Sequence, residues 1–542
     1  MITNPFQRKA YDAVSSALPF AIDPAKITVE PGVSYLPSPI KLHDYAAGVM
    51  AALGSVVEHL GRVRGLPSQT MTLNRRLAGF HLNELQVQLL NGYSVMLDTW
   101  PMGADNGAYR TKDGRYVWTI GLFPHLVNAL LGHLQCPNNP QAIQAAVEKY
   151  TAQQLEDEVA GGLNLAVGMV RTPQEWLAHP QGAATAALPL FSIDQQGTTK
   201  QRVLGNAKYR PLEGVRVVDL TNVVAGPTAG FAMAEQGADV IAVQAPRGDW
   251  VTPIWLSVNW GKKTILTDIK SPDGNKRFID LLAGADVLLS SQRPGALDRL
   301  GLGETELREI NPNLIYGSES FASLGTPWVG RRGFEQIAQA VTGTADVHSE
   351  GLGLQAPTVT PALMNDHLTG YLLAIAVVAA LAEREDQGGF WRVDASLSRT
   401  STFGQTLLEP VDDEPYAPIT EQDLIEHGVD QVSPWGTFTR FAPPVAFSHT
   451  PSMALRATSW PGTDPDTIGW TANPAGDAPP QVPHYPSKLA REGRIRNFTP
   501  NFGIEDRADG GGVVGLMSKP EALEAQLKKY ATDLSGTSKS SG

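Results

Sequence analysis

Val215-Arg-Val-Val-Asp-Leu220, Thr221-Asn-Val-Val-Ala-Gly226-Pro227 and Ala238-Asp-Val-Ile-Ala-Val243 form the stretch on which the fold turns. Its two outer segments are short runs rich in valine and isoleucine, the pattern of strands buried on both faces. The middle segment is a loop with one glycine, leading into a short helix from Thr228 to Gln236. The alternation then continues. Lys263-Thr-Ile-Leu-Thr267 reads as a strand, and Ser271-Pro272-Asp273 caps a helix running to Leu282. Ala285-Asp-Val-Leu-Leu289 is a strand, Glu304 to Ile310 a helix, and Asn313-Leu-Ile-Tyr-Gly317 a strand. Strands alternating with helices predict a parallel sheet of βαβ units. The expected class is α/β with a Rossmann-like sheet, and ligands on such sheets bind in the loops beyond the carboxyl ends of the strands.

Downstream comes Pro361-Ala-Leu-Met-Asn365-Asp366-His367-Leu-Thr-Gly370, then an apolar run from Tyr371 to Ala382. A carboxylate stands where an apolar helix begins. One reading is a helix cap, since Asp accepts from the free amides of a first turn. The other is a nucleophile: the helix dipole favours the anion by roughly 0.3–1 kcal/mol, and a carboxylate in a dry cleft can attack an acyl carbon. The two are compatible. The apolar run falls short of the roughly 20 residues that span a bilayer and reads as a buried core helix.

Upstream, His43-Asp44-Tyr-Ala-Ala-Gly48-Val-Met-Ala-Ala repeats this pattern. An offset of 322 residues aligns Asp44 with Asp366, Gly48 with Gly370, Ala52 with Ala374 and Arg62 with Arg384. It also places Met71-Thr-Leu on Val393-Asp-Ala. A helix followed by a strand, present twice, suggests internal duplication. Asp44 lacks an α/β half before it and is read as a structural cap.

The remaining segments set the expected domains. Residues 1–40 are an irregular lead. Residues 41–205 hold the first helix and a smaller α+β domain, with a hairpin turning at Lys112-Asp113-Gly114 and a helix opened by Thr172-Pro173-Gln-Glu175. Residues 140–160 read as helical, and Gln195 to Lys208 as a polar linker. Residues 206–405 form the α/β half, ending in a long linking helix and strand. Residues 406–470 are a closing segment, with 434–460 irregular, and 471–542 a largely disordered tail in which Pro520 to Tyr530 could form a helix.

Composition narrows the function classes. The net charge of -12 implies no general affinity for nucleic acid or an anionic membrane. Cys136 is the single cysteine, so no intrachain disulfide and no Cys-based metal site is expected. The N-terminus carries no apolar leader, and a cytoplasmic location is expected. G-x-G-x-x-G, H-E-x-x-H and G-x-S-x-G are absent, and Leu256 replaces the first glycine that a Walker A loop at Gly261-Lys262 would need. Basic residues do fall in the predicted loops: Lys262, Lys263, Arg293, Arg299, Arg331 and Arg332. Any one alone is a solvated surface charge. Gathered on one side of the sheet they would make a phosphate-binding rim.

Leu212-Glu-Gly-Val-Arg-Val-Val-Asp-Leu through Val243 strongly resembles the opening of family III CoA-transferases, the CaiB/BaiF family. Gly261-Lys-Lys-Thr, Ser271-Pro-Asp-Gly274, Arg293-Pro-Gly-Ala-Leu-Asp-Arg-Leu-Gly-Leu302, Asn311-Pro-Asn-Leu-Ile-Tyr, Phe334-Glu-Gln-Ile-Ala and Asn365-Asp366-His-Leu-Thr-Gly370 continue it in family order. Residues 41–200 are similar to the later half of the family, so the chain resembles a rearranged duplicate. The resemblance implies that Asp366 attacks an acyl-CoA thioester to give an aspartyl-acyl anhydride. The CoA thiolate then leaves an aspartyl-CoA thioester, and an acceptor carboxylate collects the CoA. By the same resemblance, Asn222, Val223, Val224, Ala225, Lys262, Arg299 and Arg332 contact CoA. CoA is a substrate, no resident cofactor or metal is implied, and the family forms interlocked homodimers.

The chain departs from the family at three points: Asn222 stands where one relative has His, Ser291-Gln292 replace Asn-Phe, and no glycine-rich covering loop is evident. An acyl-CoA racemase on the same scaffold is the nearest alternative, but Phe334 occupies the position of its proton-moving His. A non-catalytic acyl-CoA-binding duplicate is the other alternative. His367 reads as a packing residue.

Overall fold

In the computed structural model the described residues are 2–95, 104–199, 203–248, 250–411, 415–476, 479, 480, 486–496 and 498. The chain enters through α1 (Pro5–Ser15), capped by Asn4, whose Oδ1 accepts from Phe6 N and Gln7 N. α2 (Leu42–Val63) is buried along nearly its whole length. α1 crosses it at Gly48, where a Cβ would lie 2.5 Å from the Gln7 carbonyl oxygen. β1 (Met71–Asn74) and α3 (Arg75–Phe80) follow. β2 (Gly107–Arg110) and β3 (Tyr116–Thr119) then form the predicted hairpin, and β4 (Val167–Met169) extends it. Gly114 takes the positive φ of 76° that its turn requires. Tyr109, Val117, Leu126, Leu130 and Ile143 give this smaller α+β unit a core of its own.

β5 (Phe191–Gln195) leads to the α/β elements: β6 (Arg216–Leu220), α4 (Ala225–Glu235), β7 (Asp239–Gln244) and β8 (Lys263–Leu266). They continue with α5 (Pro272–Ala283), β9 (Val287–Ser290), α6 (Glu304–Ile310) and β10 (Ile315–Ser320). α7 (Glu335–Thr342), α8 (Met364–Gln387), β11 (Trp391–Ser396) and α9 (Leu397–Gly404) complete the unit. The seven-stranded sheet runs β8-β7-β6-β9-β10-β11-β5. Its first six strands are parallel, and β5 pairs antiparallel with β11. The strand order reverses between β6 and β9, the topological switch point at which such sheets open a crevice.

α8 fills the space between the sheet and α2, packing against both and against α4. It is long and apolar enough to cross a membrane, but it is wholly buried inside the protein. Its last turn is tied to the sheet by Arg384, which reaches Asp286 Oδ1 at 2.8 Å and the Asn313 carbonyl at 2.7 Å.

Four segment readings are corrected. The lead 1–40 is not irregular throughout, since Pro5–Ser15 form α1 and Ile27–Glu30 pair in parallel with β1. The expected linker from Gln195 begins inside β5, whose register with β11 runs from Phe191–Ala395 to Gln195–Trp391. The boundary at 205 therefore separates no independent body, since one core cluster joins residues from both sides. The stretch 434–460 is not wholly irregular: β12 (Gly428–Ser433) pairs with β13 (Gly436–Phe441) across a short turn. Nor does order end at 471. Ser487 Oγ and Leu489 N donate to the two Asp430 carboxylate oxygens, and Leu489 is buried. The expected Pro520–Tyr530 helix, with the rest of 499–542, lies outside the described residues.

Candidate active site

A cavity of about 240 Å³ opens over the carboxyl ends of β6, β9, β10 and β11. The loop Asn222–Ala225 forms one side, Ser291–Pro294 the next, and Glu319–Phe321 and Leu397 the third. The segment Gly330–Phe334 and Asp366 close it, and Phe123 and Leu126 complete the wall from the smaller unit.

The β6 loop is held from below and strained above. Lys262 Nζ donates to Asp219 Oδ2 at 2.7 Å and to the Pro227 carbonyl at 2.8 Å, pinning the loop to α4. Asn222 N donates to Ser291 Oγ at 3.1 Å, and Val223 N to Asn222 Oδ1 at 2.8 Å. Val223 has a φ of 67°. A β-branched residue in the left-handed region costs on the order of 1–3 kcal/mol, and such strain gathers at functional sites.

The start of α8 decides what Asp366 is. Leu363 occupies the cap position, and Asp366 is the third residue of the first turn. The cap is supplied from α7. Asp366 N donates to Glu335 Oε2 at 2.7 Å, and Asn365 Nδ2 donates to Glu335 Oε1 at 2.9 Å. Gln339 Nε2 also donates to Glu335 Oε1, at 2.6 Å. The cap reading of Asp366 is therefore corrected: Glu335 does that work and leaves the Asp366 carboxylate to the cavity. Among the described residues no hydrogen bond or ion pair holds that carboxylate, although the residue is only 7% exposed.

Burial pushes Asp366 up to about 7. Burial, and then the Asp366 charge, raise Glu335 well above the carboxylate range. Glu319 rises to about 8 from burial, then from the charges of Asp366 and Asp394. The helix dipole's 0.3–1 kcal/mol is the smaller effect here. An anion without a counter-ion in a dry cleft is costly, and for that reason nucleophilic once formed.

Of the expected site residues, Asn222, Val223, Val224, Ala225, Arg332 and Asp366 all meet in this cavity. Two expectations change. Lys262 is fully buried and committed to Asp219, so it supports the loop from beneath and is not on the rim. Arg299 is exposed on the turn Asp298–Leu300, outside the cavity lining. Lys263 is paired with Asp239 at 2.7 Å. Arg331 is stacked 3.9 Å over Trp328 and lies 3.2 Å from Glu156. The cations of the rim are Arg293 and Arg332; among the described residues neither is ion-paired, and burial and the Arg293 charge lower Arg332. His367 is turned to Thr228, 3.4 Å from its Oγ1, and burial lowers it to about 4. Sequence reasoning missed Glu319 and the role of Glu335. The available signal was an acid at the carboxyl end of an otherwise apolar predicted strand.

Residues 212–413 match the family model of CoA-transferase family III. That segment belongs to CoA-transferase family III. The chain is 31% identical over 325 residues to an acetyl-coenzyme A transferase of Hypoxylon pulicicidum, covering 56% of this chain and 54% of that protein. It is 36% identical over 200 residues to human succinyl-CoA:glutarate CoA-transferase, covering 35% of this chain and 45% of that protein. A CaiB/BaiF family protein from Brucella suis aligns at 30% identity with a TM-score of 0.34, over 36% of this chain and 55% of that chain. The chain spans about half the length of the curated relatives it matches. The family III segment contains Asp366, Glu335, Glu319 and the β6 loop, whereas Phe123 and Leu126 come from outside it.

Proposed function

We propose that the protein moves CoA from an acyl-CoA thioester to a carboxylic acid, with Asp366 as the nucleophile. The observation that carries this reading is a carboxylate lining a cavity together with Arg293 and Arg332, none of the three being ion-paired among the described residues. In the first step an Asp366 oxygen bonds to the acyl carbon and the carbon–sulfur bond breaks, giving an anhydride and CoA thiolate. The thiolate then attacks the aspartyl carbonyl, releasing the acyl group as its carboxylate and leaving aspartyl-CoA. The acceptor carboxylate repeats these two steps in reverse order, which returns Asp366 and forms the new thioester. Electrons and charge balance without a metal or redox group.

Each wall has a role in this scheme. The loop Asn222–Ala225 lies along the pantetheine arm, and Arg293 and Arg332 hold phosphate, so that distant binding energy positions the thioester. Phe123, Leu126, Phe321 and Phe334 are apolar and shield the anhydride from water. Arg299, outside the cavity, is assigned the far end of the nucleotide.

The 322-residue offset supports reading 42–80 and 364–404 as copies of one helix-strand-helix unit, since α2 and α8 start at 42 and 364 and α3 and α9 at 75 and 397. With Phe123 and Leu126 supplied by the chain itself, a second copy is not needed to close the wall. Homodimer formation and a cytoplasmic location remain parts of the proposal.

The test is direct. Purified protein is given acetyl-CoA or succinyl-CoA with oxalate, L-malate or glutarate, the acids in the names of a similar formyl-CoA:oxalate CoA-transferase of Streptomyces coelicolor, a succinyl-CoA–L-malate CoA-transferase subunit of Chloroflexus aurantiacus and the human protein above. Mass spectrometry is expected to find the CoA ester of the added acid. If no pair gives a new ester while α-hydrogen exchange occurs in deuterated water, the racemase reading replaces this one.

A further inference from the structure

A second cavity, of about 250 Å³, lies beside the first. The two share Glu319, Ser320 and the turn Gln292–Pro294. Tyr316, Arg392, Asp298 and Glu304 wall the far side. Glu319 is the next-to-last residue of β10, in the partition between the two spaces. Among the described residues no hydrogen bond or ion pair engages its carboxyl group.

Charges face Glu319 from several elements. Asp366 on α8 and Asp394 on β11 are acids, and Glu335 on α7 lines up behind Asp366. Arg392 on β11 is a cation that lines the side cavity, and it is engaged elsewhere. It donates to Ser318 Oγ at 2.7 Å and to the Tyr316 carbonyl at 3.1 Å, and stacks 4.1 Å over the Tyr316 ring. Arg293 on the β9 loop is exposed, and Arg332 lines the first cavity with it, close enough for the two charges to repel. A half-buried carboxyl between two acids keeps its proton through neutral pH, which makes it a donor.

The proposed reaction creates a need for such a donor. The acceptor must bring a second carboxylate up to the aspartyl carbonyl, into a space already lined by acids. A neutral carboxyl group can receive it, donating O–H to O⁻ in a short charge-assisted bond. The side cavity carries both signs of charge, which suits a short polar acid and not a long alkyl chain.

We propose, resting on the function given above, that Glu319 binds the acceptor by donating a hydrogen bond to its carboxylate, while the side cavity takes the rest of a short dicarboxylic or hydroxy acid. The test uses the most active donor and acceptor pair among acetyl-CoA, succinyl-CoA, oxalate, L-malate and glutarate. Glu319→Leu is expected to raise the acceptor KM about tenfold relative to the donor KM in the same variant. Glu319→Gln keeps an N–H donor and is expected to stay within about threefold of wild type at pH 7. In wild type the acceptor KM is expected to rise with pH above neutrality, as the Glu319 proton is lost and the two carboxylates repel; Glu319→Gln is expected to remove that rise. If wild type transfers CoA but the KM ratio of Glu319→Leu is unchanged, the role of Glu319 is overturned and CoA transfer stands. If wild type transfers CoA to none of these acids, both readings fall.

Discussion

The two buried helices α2 and α8 begin alike and end in opposite chemistry. Each places an aspartate in its first turn, Asp44 and Asp366, and a glycine four residues later. Each glycine lets another helix close in: Gly48 admits α1, and Gly370 admits α4, where a Cβ would lie 2.4 Å from the Ala225 carbonyl oxygen. At Asp44 the surrounding space is filled. Arg75 clamps both carboxylate oxygens, at 2.7 and 2.8 Å, and Gln7 Nε2 donates at 2.7 Å. At Asp366 the space is a cavity. The residue at the position corresponding to Arg75 is Leu397, the first of α9, and it lines that cavity. One frame thus holds an ion-paired carboxylate or one open to a cavity, according to whether the helix after the strand begins with Arg or Leu.

The comparison breaks most sharply at Arg75. Arg75→Met leaves Asp44 charged and unpaired in the interior, and is expected to cost about 3–5 kcal/mol of stability in denaturant titration. CoA transfer per folded molecule is expected to persist. Converting the second site into the first comes next. Leu397→Arg supplies Asp366 with the counter-ion it lacks and fills the cavity, so turnover is expected to fall about 100-fold, roughly 2.7 kcal/mol, with the fold retained by circular dichroism.

The smallest effects are those of pH. Asp366 must be ionised to attack and loses its proton at about 7. The rate kcat/KM is therefore expected to fall about tenfold for each pH step below that point. Stability runs the other way. Between the ordinary carboxylate range and about 7 the folded chain holds a proton at Asp366 that the unfolded chain has lost, so this group's contribution to stability declines as pH rises through the window. Asp366→Asn removes that loss. The variant is expected to be more stable than wild type at pH 8, on the order of 2 kcal/mol by denaturant midpoint, and to show little difference at pH 4.

Local pattern made much of this legible from the sequence. The helix Glu304–Ile310, the cap at Ser271, and the hairpin turning through Gly114 follow from turn and cap chemistry within a few residues. The alternating strands located the loops, and the resemblance to family III CoA-transferases singled out Asn222–Ala225, Arg332 and Asp366. What the sequence hid was partnership. Lys262 and Arg332 are both basic loop residues, and only the fold shows that Asp219 claims the first while the second has no ion pair among the described residues. Asp366 fits a cap by type, and only the packing of α7 shows Glu335 in that place. β5 reads as the start of a linker because its edge pairing with β11 is formed about 200 residues away in sequence.

The central claim is that Asp366, and not its counterpart Asp44, carries the acyl and CoA groups in turn. Incubation with acyl-CoA, quenching with hydroxylamine and peptide mass spectrometry test it. The predicted result is a hydroxamate at Asp366, absent from Asp366→Asn and absent at Asp44. An unmodified Asp366 in protein that is turning over, or a hydroxamate at any other carboxylate, would contradict the account.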